Sequence, residues 1–177
     1  MNIFYLDTDR HVSVSYHVDR HVMKMPIETT QMLSTVLRER FNVVAPTEGT
    51  GKIYKSVYVT HPCTRWVGET HNNFIWTWLF GVALCDEYTH RYGKVHACRQ
   101  VLDTIFDLTP KADSWTYNGI TYRPKCVRAE FKQFDTVTAY RLQYITTKAR
   151  LHSWTNREVP DFVQDQSWAK EVLNVSS

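Results

Sequence analysis

The sequence has few cysteines, glycines and prolines, and it lacks any long apolar run. Its 177 residues contain four cysteines, six glycines and six prolines. No apolar run approaches the roughly 20 residues that a bilayer-spanning helix needs. The first residues, MNIFYLDTDRH, also lack the basic start of a signal peptide. We therefore expect a cytoplasmic protein with no membrane partner.

The cysteines show no Cys-x-x-Cys pair and no other short metal-binding spacing. In a cytoplasmic protein we expect them to be reduced thiols. One of them lies in an apolar helical stretch and is expected in the core. The four are Cys63, Cys85 (the expected core residue), Cys98 and Cys126.

Apolar and aromatic residues are plentiful enough to build a core. They make up 43% and 14% of the chain, which excludes a disordered protein. At this length one domain is expected. The net charge of +3 is too small to indicate a nucleic-acid partner by itself, so the distribution of charge carries more information.

Apolar residues recur at helical spacing over much of the chain. One helical pattern runs from about Val12 to Arg40, and Pro26 either kinks it or begins a second helix there. Another begins at Pro62 and continues to Gly93, which is well placed as a C-terminal cap.

A third helix is predicted over residues 97–106, and a last one along an apolar stripe in the second half of the chain. The overall prediction is a mainly α-helical fold, a single compact domain over residues 1–177 with three to five helices and long irregular loops. Within it we separate a core of about residues 1–110 from a basic and aromatic helical segment of about 121–160. The stripe comprises Phe134, Val137, Tyr140, Tyr144, Leu151 and Trp154.

Basic residues gather in that second half. Eight Lys or Arg lie between Arg123 and Arg157, against only Glu130 and Asp135, with tyrosines interleaved. Such residues can neutralise phosphates and stack on bases, although a solvated helix face over an aromatic core has the same composition. Two earlier segments are basic as well, so three segments could form one basic face. The candidate nucleic-acid contacts are Arg20, Lys24, Arg65, Arg91, Lys94, Arg141 and Lys148.

The stretch YHVDRHVMKMPIETTQML contains the densest group of candidate chemical residues. His17 and His21 are four residues apart, which suits one helical face, but a metal would need a third ligand such as Glu28, His61 or Glu87. Alternatively, Glu28 and His21 face one cleft as an acid/base pair. In the simplest interpretation Glu28 only forms a surface salt bridge with Lys24.

Four features then occur in a familiar order. The segment MNIFYL leads into a helix that carries Asp19-Arg20-His21, and Glu28 follows seven residues after the histidine. THPCTRW begins a second helix, which ends in an acidic, basic and glycine signature from Cys85 to Gly93. In this order the chain resembles the pyrimidine-dimer DNA glycosylase superfamily, the endonuclease V type of DNA repair enzyme, in its phage branch.

The resemblance implies an enzyme whose N-terminal α-amine attacks C1′ of an exposed deoxynucleotide, forms a Schiff base and cleaves the strand by β-elimination. An α-amine suits this role because it ionises closer to neutral pH than a lysine side chain. By resemblance Met1, Asn2 and Glu28 are the catalytic residues, and His21, Arg20 and Lys24 hold DNA. The implied partner is double-stranded DNA with a damaged or modified base, in the host cytoplasm if a phage encodes the chain. No cofactor or metal is implied.

One position departs from the family pattern. Family enzymes lose the initiator methionine and expose a small residue, whereas Asn2 is a poor context for that removal. The free amine is therefore expected on Met1. Extruding a base costs a few kcal/mol, which stacking residues must offset, and Trp66 and Trp115 are the candidates.

Two other functions stay open from the sequence. One is a phage nucleic-acid-binding or counter-defence protein that keeps the scaffold without catalysis. The other is a metal- or nucleotide-dependent enzyme that uses His17, His21, Glu28 and His61.

Overall fold

A computed structural model describes residues 1–174 of the protein, and every regular element among them is helical. Four of the α-helices have ten residues or more, and four shorter ones bring the total in this range to eight. The predicted mainly α-helical class is confirmed. In chain order the helices are α1 (Arg10–Ser15), α2 (Asp19–Phe41), α3 (Pro62–Glu69), α4 (His71–Tyr92), α5 (Cys98–Asp107), α6 (Thr136–Ile145), α7 (Asp161–Gln164) and α8 (Ser167–Asn174).

The two long helices, α2 and α4, pack against each other at the centre of the molecule. Gly81 on α4 permits their close approach, because a Cβ atom there would lie 3.0 Å from the Thr29 methyl group on α2. The same Cβ would lie 3.1 Å from Leu102 on α5. A glycine is therefore needed where three helices meet.

The first helical pattern of the sequence forms two helices, and the break between them comes before Pro26. Asp9 caps α1 by accepting hydrogen bonds from the backbone of His11 and Val12, and α1 ends at Ser15. Helix α2 then starts at Asp19 and continues through Pro26 to Phe41. Of the two roles considered for the proline, the start of a second helix is wrong.

The second predicted helix is also divided. Its start at Pro62 and its cap at Gly93, with φ of +65°, are confirmed. However, Thr70 is extended, at φ −138° and ψ 157°, and its side chain caps α4 by accepting from the Asn73 amide. The apolar period continues across Thr70 because both helices bury one side in the same core.

The last predicted helix ends sooner than its apolar stripe. Helix α6 stops at Ile145, so Leu151 and Trp154 lie outside it. The hydroxyl groups of Thr146 and Thr147 bond to carbonyls one turn earlier, a competing interaction that favours helix termination.

The first residues run through the protein as a buried irregular segment. Phe4 and Leu6 are 4% and 0% exposed. The Leu6 amide donates to the Ser13 hydroxyl on α1, and the Leu6 carbonyl accepts from Arg141 on α6. The amino terminus is thereby held between helices from both halves of the chain. Over residues 1–174, no helix is both long and apolar enough to cross a bilayer.

Candidate active site

The amino terminus lies beside the carboxylate of Glu28. The Met1 amine is 3.8 Å from Glu28 Oε2, and the backbone N–H of Asn2 donates to the same oxygen at 2.9 Å. The other oxygen, Oε1, is 3.0 Å from Lys24 Nζ, one turn earlier on α2. The Glu28 side chain is only 12% exposed. A largely buried carboxylate therefore lies between the start of the chain and a solvated lysine.

The bulk of Met1 does not cover its own amine. Its side chain is 1% exposed although the residue as a whole is partly exposed, so the exposed atoms belong to the main chain. The Thr64 hydroxyl on α3 donates to Met1 Sδ at 3.6 Å. The methionine side chain thus points into the protein, and the exposed part of Met1 is its main chain.

Asn2 is fixed by the second half of the chain. Its side-chain amide donates to the Cys126 carbonyl at 3.0 Å, and its side-chain carbonyl accepts from the Tyr140 hydroxyl at 2.7 Å. The Cys126 amide donates in turn to Tyr140 at 3.1 Å. Sequence reasoning missed Cys126 and the polar role of Tyr140. The only signal was the presence of tyrosines, Tyr140 among them, in the apolar stripe.

His21 is buried rather than exposed. It is 6% exposed, its Nδ1 atom shares a hydrogen bond with the Tyr144 hydroxyl, and its ring stacks on Phe4 at 4.2 Å. Burial lowers the pKa of His21 to about 3, and the neighbouring His17 ring, Lys148 and Lys24 lower it further. The neutral ring supports the N-terminal segment, and the DNA contact predicted for His21 stays a prediction.

His17 lies in the link between α1 and α2 and is fully buried. Its Nδ1–H donates to the Ser13 carbonyl at 2.8 Å, and burial lowers its pKa to about 4. The predicted set of His17, His21 and Glu28 does not form a metal-ligand group. Within residues 1–174, one set of three ligand side chains has its ligand atoms within 4.8 Å of one another: His61, Cys63 and Cys126.

The basic residues divide into exposed and structural ones. Lys148 is partly buried, with Nζ 5.9 Å from the centre of the Phe4 ring. Lys148 and Lys24 both lie close enough to His21 for their charges to lower its pKa. Arg20 lines a surface cleft of about 500 Å³ together with Arg150. The exposed members of the predicted set are Arg20, Lys24, Arg65 and Lys94.

Arg91 is structural. It is 2% exposed and pairs with Asp19 at 2.9 Å and with Glu87 at 2.7 Å. Burial acts to raise the pKa of Asp19, but hydrogen bonds from Ser153, Thr155 and Arg91 outweigh it and lower that pKa to about 2. The arginine joins the start of α2 to the end of α4, so its placement does not fit the predicted phosphate contact.

Arg141 also has a structural position. It donates to the Leu6 carbonyl at 2.8 Å and pairs with Asp7 at 2.9 Å. Its guanidinium lies over the rings of Tyr16 and Phe162. Arg141 therefore holds the N-terminal segment against α6, and 27% of its side chain remains exposed.

The elements around the amine match a known family. A family model for pyrimidine dimer DNA glycosylase matches residues 1–100. The chain belongs to this family. The resemblance to this superfamily is thereby confirmed, and the pyrimidine dimer DNA glycosylase family indicates a DNA-acting protein. Searches of curated proteins and of solved structures give no match to the chain.

The family match includes the amine and Glu28 but ends before Tyr140 and Cys126, which fix Asn2. The tryptophans considered for stacking on an extruded base are buried, at 1% for Trp66 and 5% for Trp115. They pack in the core, and neither is available to DNA.

Proposed function

We propose that the protein is a DNA glycosylase/AP lyase that acts through its N-terminal amine, with Glu28 as the catalytic carboxylate. The observation that carries the proposal is the approach of Glu28 Oε2 to the first two main-chain nitrogens, 3.8 Å from Met1 and 2.9 Å from Asn2. The family to which the chain belongs supports a DNA substrate.

In the proposed reaction the neutral amine attacks C1′ of a deoxynucleotide, and the base leaves with the electrons of the glycosidic bond. Opening of the sugar ring gives a Schiff base between the amine and C1′. Loss of a proton from C2′ then breaks the bond between C3′ and O3′, which cleaves the strand. Glu28 accepts the amine proton and offsets the positive charge of the iminium, since its carboxylate oxygen lies 3.8 Å from the nitrogen.

The geometry accommodates either form of the amino terminus. If Met1 stays, its amine is the nucleophile and its side chain remains buried beside Thr64. If Met1 is removed, the Asn2 nitrogen becomes the amine and already lies 2.9 Å from Glu28. The unfavourable context of Asn2 for methionine removal therefore does not decide whether the chemistry is possible.

The proposed DNA contacts lie on the same helix as this carboxylate and in the segment after α6. Arg20 and Lys24 lie one turn apart on α2, and Lys24 reaches Glu28. Lys148 and Arg150 approach the same region from the segment after α6. We propose double-stranded DNA with a damaged or modified base as the substrate. Arg65 on α3 and Lys94 just after α4 stay predictions.

The direct test removes the charge of Glu28 and keeps its shape. Glu28→Gln should lower strand cleavage at an abasic or pyrimidine-dimer site by about 100-fold or more, the usual contribution of a positioned acid or base. The matched control is Glu39→Gln, an exposed glutamate on the same helix, which should cleave like the unchanged protein.

Full activity in Glu28→Gln would contradict the proposed role of this carboxylate. DNA binding without any cleavage, in the unchanged protein, would instead favour the non-catalytic alternative on the same scaffold. Acetylation of the amino terminus distinguishes catalysis by the amine from DNA binding alone. It should abolish cleavage and leave salt-sensitive binding in place.

A further inference from the structure

A second cluster of reactive side chains lies close to the amino terminus. His61 caps the start of α3, Cys63 is the second residue of that helix, and Cys126 belongs to the irregular segment before α6. A ring nitrogen of His61 and the two sulfurs lie within 4.8 Å of one another. The proposed lyase chemistry uses none of these three side chains.

The spacing of the two sulfurs fits a shared metal better than a disulfide. Cys63 Sγ and Cys126 Sγ are 3.5 Å apart. A disulfide needs about 2.05 Å between its sulfurs. Two thiolates on one tetrahedral zinc ion, each at about 2.3 Å, are separated by roughly 3.8 Å. A shift of a few tenths of an ångström would therefore bring the two sulfurs to the spacing of zinc ligands.

The His61 ring already has a suitable tautomer. Its Nδ1 atom accepts a hydrogen bond from the Cys63 amide at 3.1 Å. A neutral ring that accepts at Nδ1 carries its proton on Nε2, so its Nδ1 lone pair points towards the start of α3. A metal ion bound there would replace the amide as the partner of that lone pair.

We propose that His61, Cys63 and Cys126 bind one Zn²⁺ ion and leave its fourth coordination position open. Two thiolates and an imidazole are ligands that select zinc over the harder magnesium and calcium ions. Three protein ligands with an open position are typical of zinc sites that bind water or an anion. The ion can enter from solvent because His61 and Cys126 are partly exposed.

Such an ion would fix the surroundings of the N-terminal amine. The Cys126 carbonyl holds the Asn2 side chain at 3.0 Å. Next to Cys63, Thr64 contacts the Met1 sulfur. Zinc would join these two flanking segments directly, although they are 63 residues apart in the sequence. Its role in the lyase reaction would be to position the amine.

The test measures metal binding by the full chain, independently of DNA cleavage. Reduced, metal-free protein is dialysed against Zn²⁺, and the bound zinc per chain is measured by inductively coupled plasma mass spectrometry. One ion per chain is expected, and Co²⁺ in its place should give the absorption of a tetrahedral thiolate complex. Cys126→Ser should weaken zinc binding at least 100-fold, and Cys63→Ala should do the same. Cys85→Ala, which removes a buried thiol outside the cluster, should bind zinc normally.

The partly exposed position of Cys126 makes Cys126→Ser the variant expected to fold, which circular dichroism can verify. Absence of bound zinc in the unchanged protein would overturn the proposal. Equal zinc binding by folded Cys126→Ser would overturn it as well. Neither result bears on Glu28, so the metal site and the lyase activity can fail separately.

Discussion

Glu28 shows what a residue's sequence neighbours can and cannot reveal. Its spacing from Lys24 predicted a salt bridge, and that bridge is present at 3.0 Å. The partners of its other oxygen are Met1 and Asn2, and Asn2 is 26 residues earlier in the sequence. Helical periodicity carries no information about such a distant contact, so only the family resemblance paired Glu28 with the amino terminus.

The two buried histidines should make the protein sensitive to mild acid. Folding lowers the pKa of His17 from 6.5 to about 4 and that of His21 to about 3, mainly through burial. Below pH 6.5 the unfolded chain therefore binds more protons than the folded one, and stability falls as pH drops from 6.5 towards 4. At 1.36 kcal/mol per pH unit, His17 alone accounts for about 3 kcal/mol over the whole range.

Urea unfolding at pH 7.5, 5.5 and 4.5 measures this effect. The midpoint should fall at each step, and His17→Gln should reduce the slope between pH 6 and 4.5. His11→Gln, at an exposed histidine, is the control and should keep the slope. A midpoint that is the same at pH 7.5 and 4.5 would contradict the burial of neutral histidines.

At the scale of helices, one ionic network joins the start of α2 to the end of α4. Arg91 pairs with Asp19 and Glu87, and Arg157 pairs with Glu87 at 2.7 Å. In the sequence, Asp19 belongs to one motif, Glu87 and Arg91 belong to another, and Arg157 belongs to the basic segment. Their contact depends on how α2 and α4 lie against each other, which the apolar pattern of either helix does not specify.

Replacing Arg91 distinguishes a structural role from a DNA contact. Arg91→Met leaves the buried Asp19 carboxylate without its arginine and leaves Glu87 with Arg157 alone, which should lower the free energy of unfolding by about 3–5 kcal/mol. Arg65→Met, at an exposed arginine on α3, should change it by less than about 0.5 kcal/mol. Urea unfolding provides the comparison. Normal stability of Arg91→Met together with weakened DNA binding would restore the phosphate-contact interpretation.

The existence of the helices was easier to predict than their ends. Burial of one face repeats at the helical period, and that repeat is visible for α2, α4 and α5. The breaks before Asp19 and at Thr70 leave the apolar pattern intact, because the chain resumes with the same side towards the core. Local hydrogen bonds set these ends, such as the Thr70 side chain accepting from the Asn73 amide.

At the scale of the whole molecule, the candidate site combines both halves of the chain. The family match covers residues 1–100, which supply the amine, Glu28 and Lys24. Tyr140 and Cys126 fix Asn2 from outside that range. The basic segment was predicted from composition, but its position against the amino terminus required the three-dimensional structure.

Salt dependence should show which lysines face DNA. A lysine that neutralises one phosphate adds about 1 to the slope of log K against log salt concentration, so its replacement should reduce that slope by about 1. Lys24→Gln and Lys148→Gln should each show this reduction with duplex DNA. Lys111→Gln is the control, because Lys111 lies near the far end of α2. Trp115, four residues after it, packs on Phe41, the last residue of that helix. Phe41 is about 33 Å from Asp19 at the helix start. Fluorescence anisotropy at several salt concentrations measures the slopes. Equal slopes for all three variants would contradict the proposed face.

Borohydride trapping on DNA with an abasic site, followed by mass spectrometry of the cross-linked peptide, tests the N-terminal amine most directly. The proposed chemistry predicts a covalent adduct on the α-amine of Met1, or of Asn2 if the methionine has been removed. Acetylated protein should give none, and Glu28→Gln should give far less. A cross-link located on a lysine side chain, or strand cleavage without any trapped adduct, would contradict catalysis by the amino terminus.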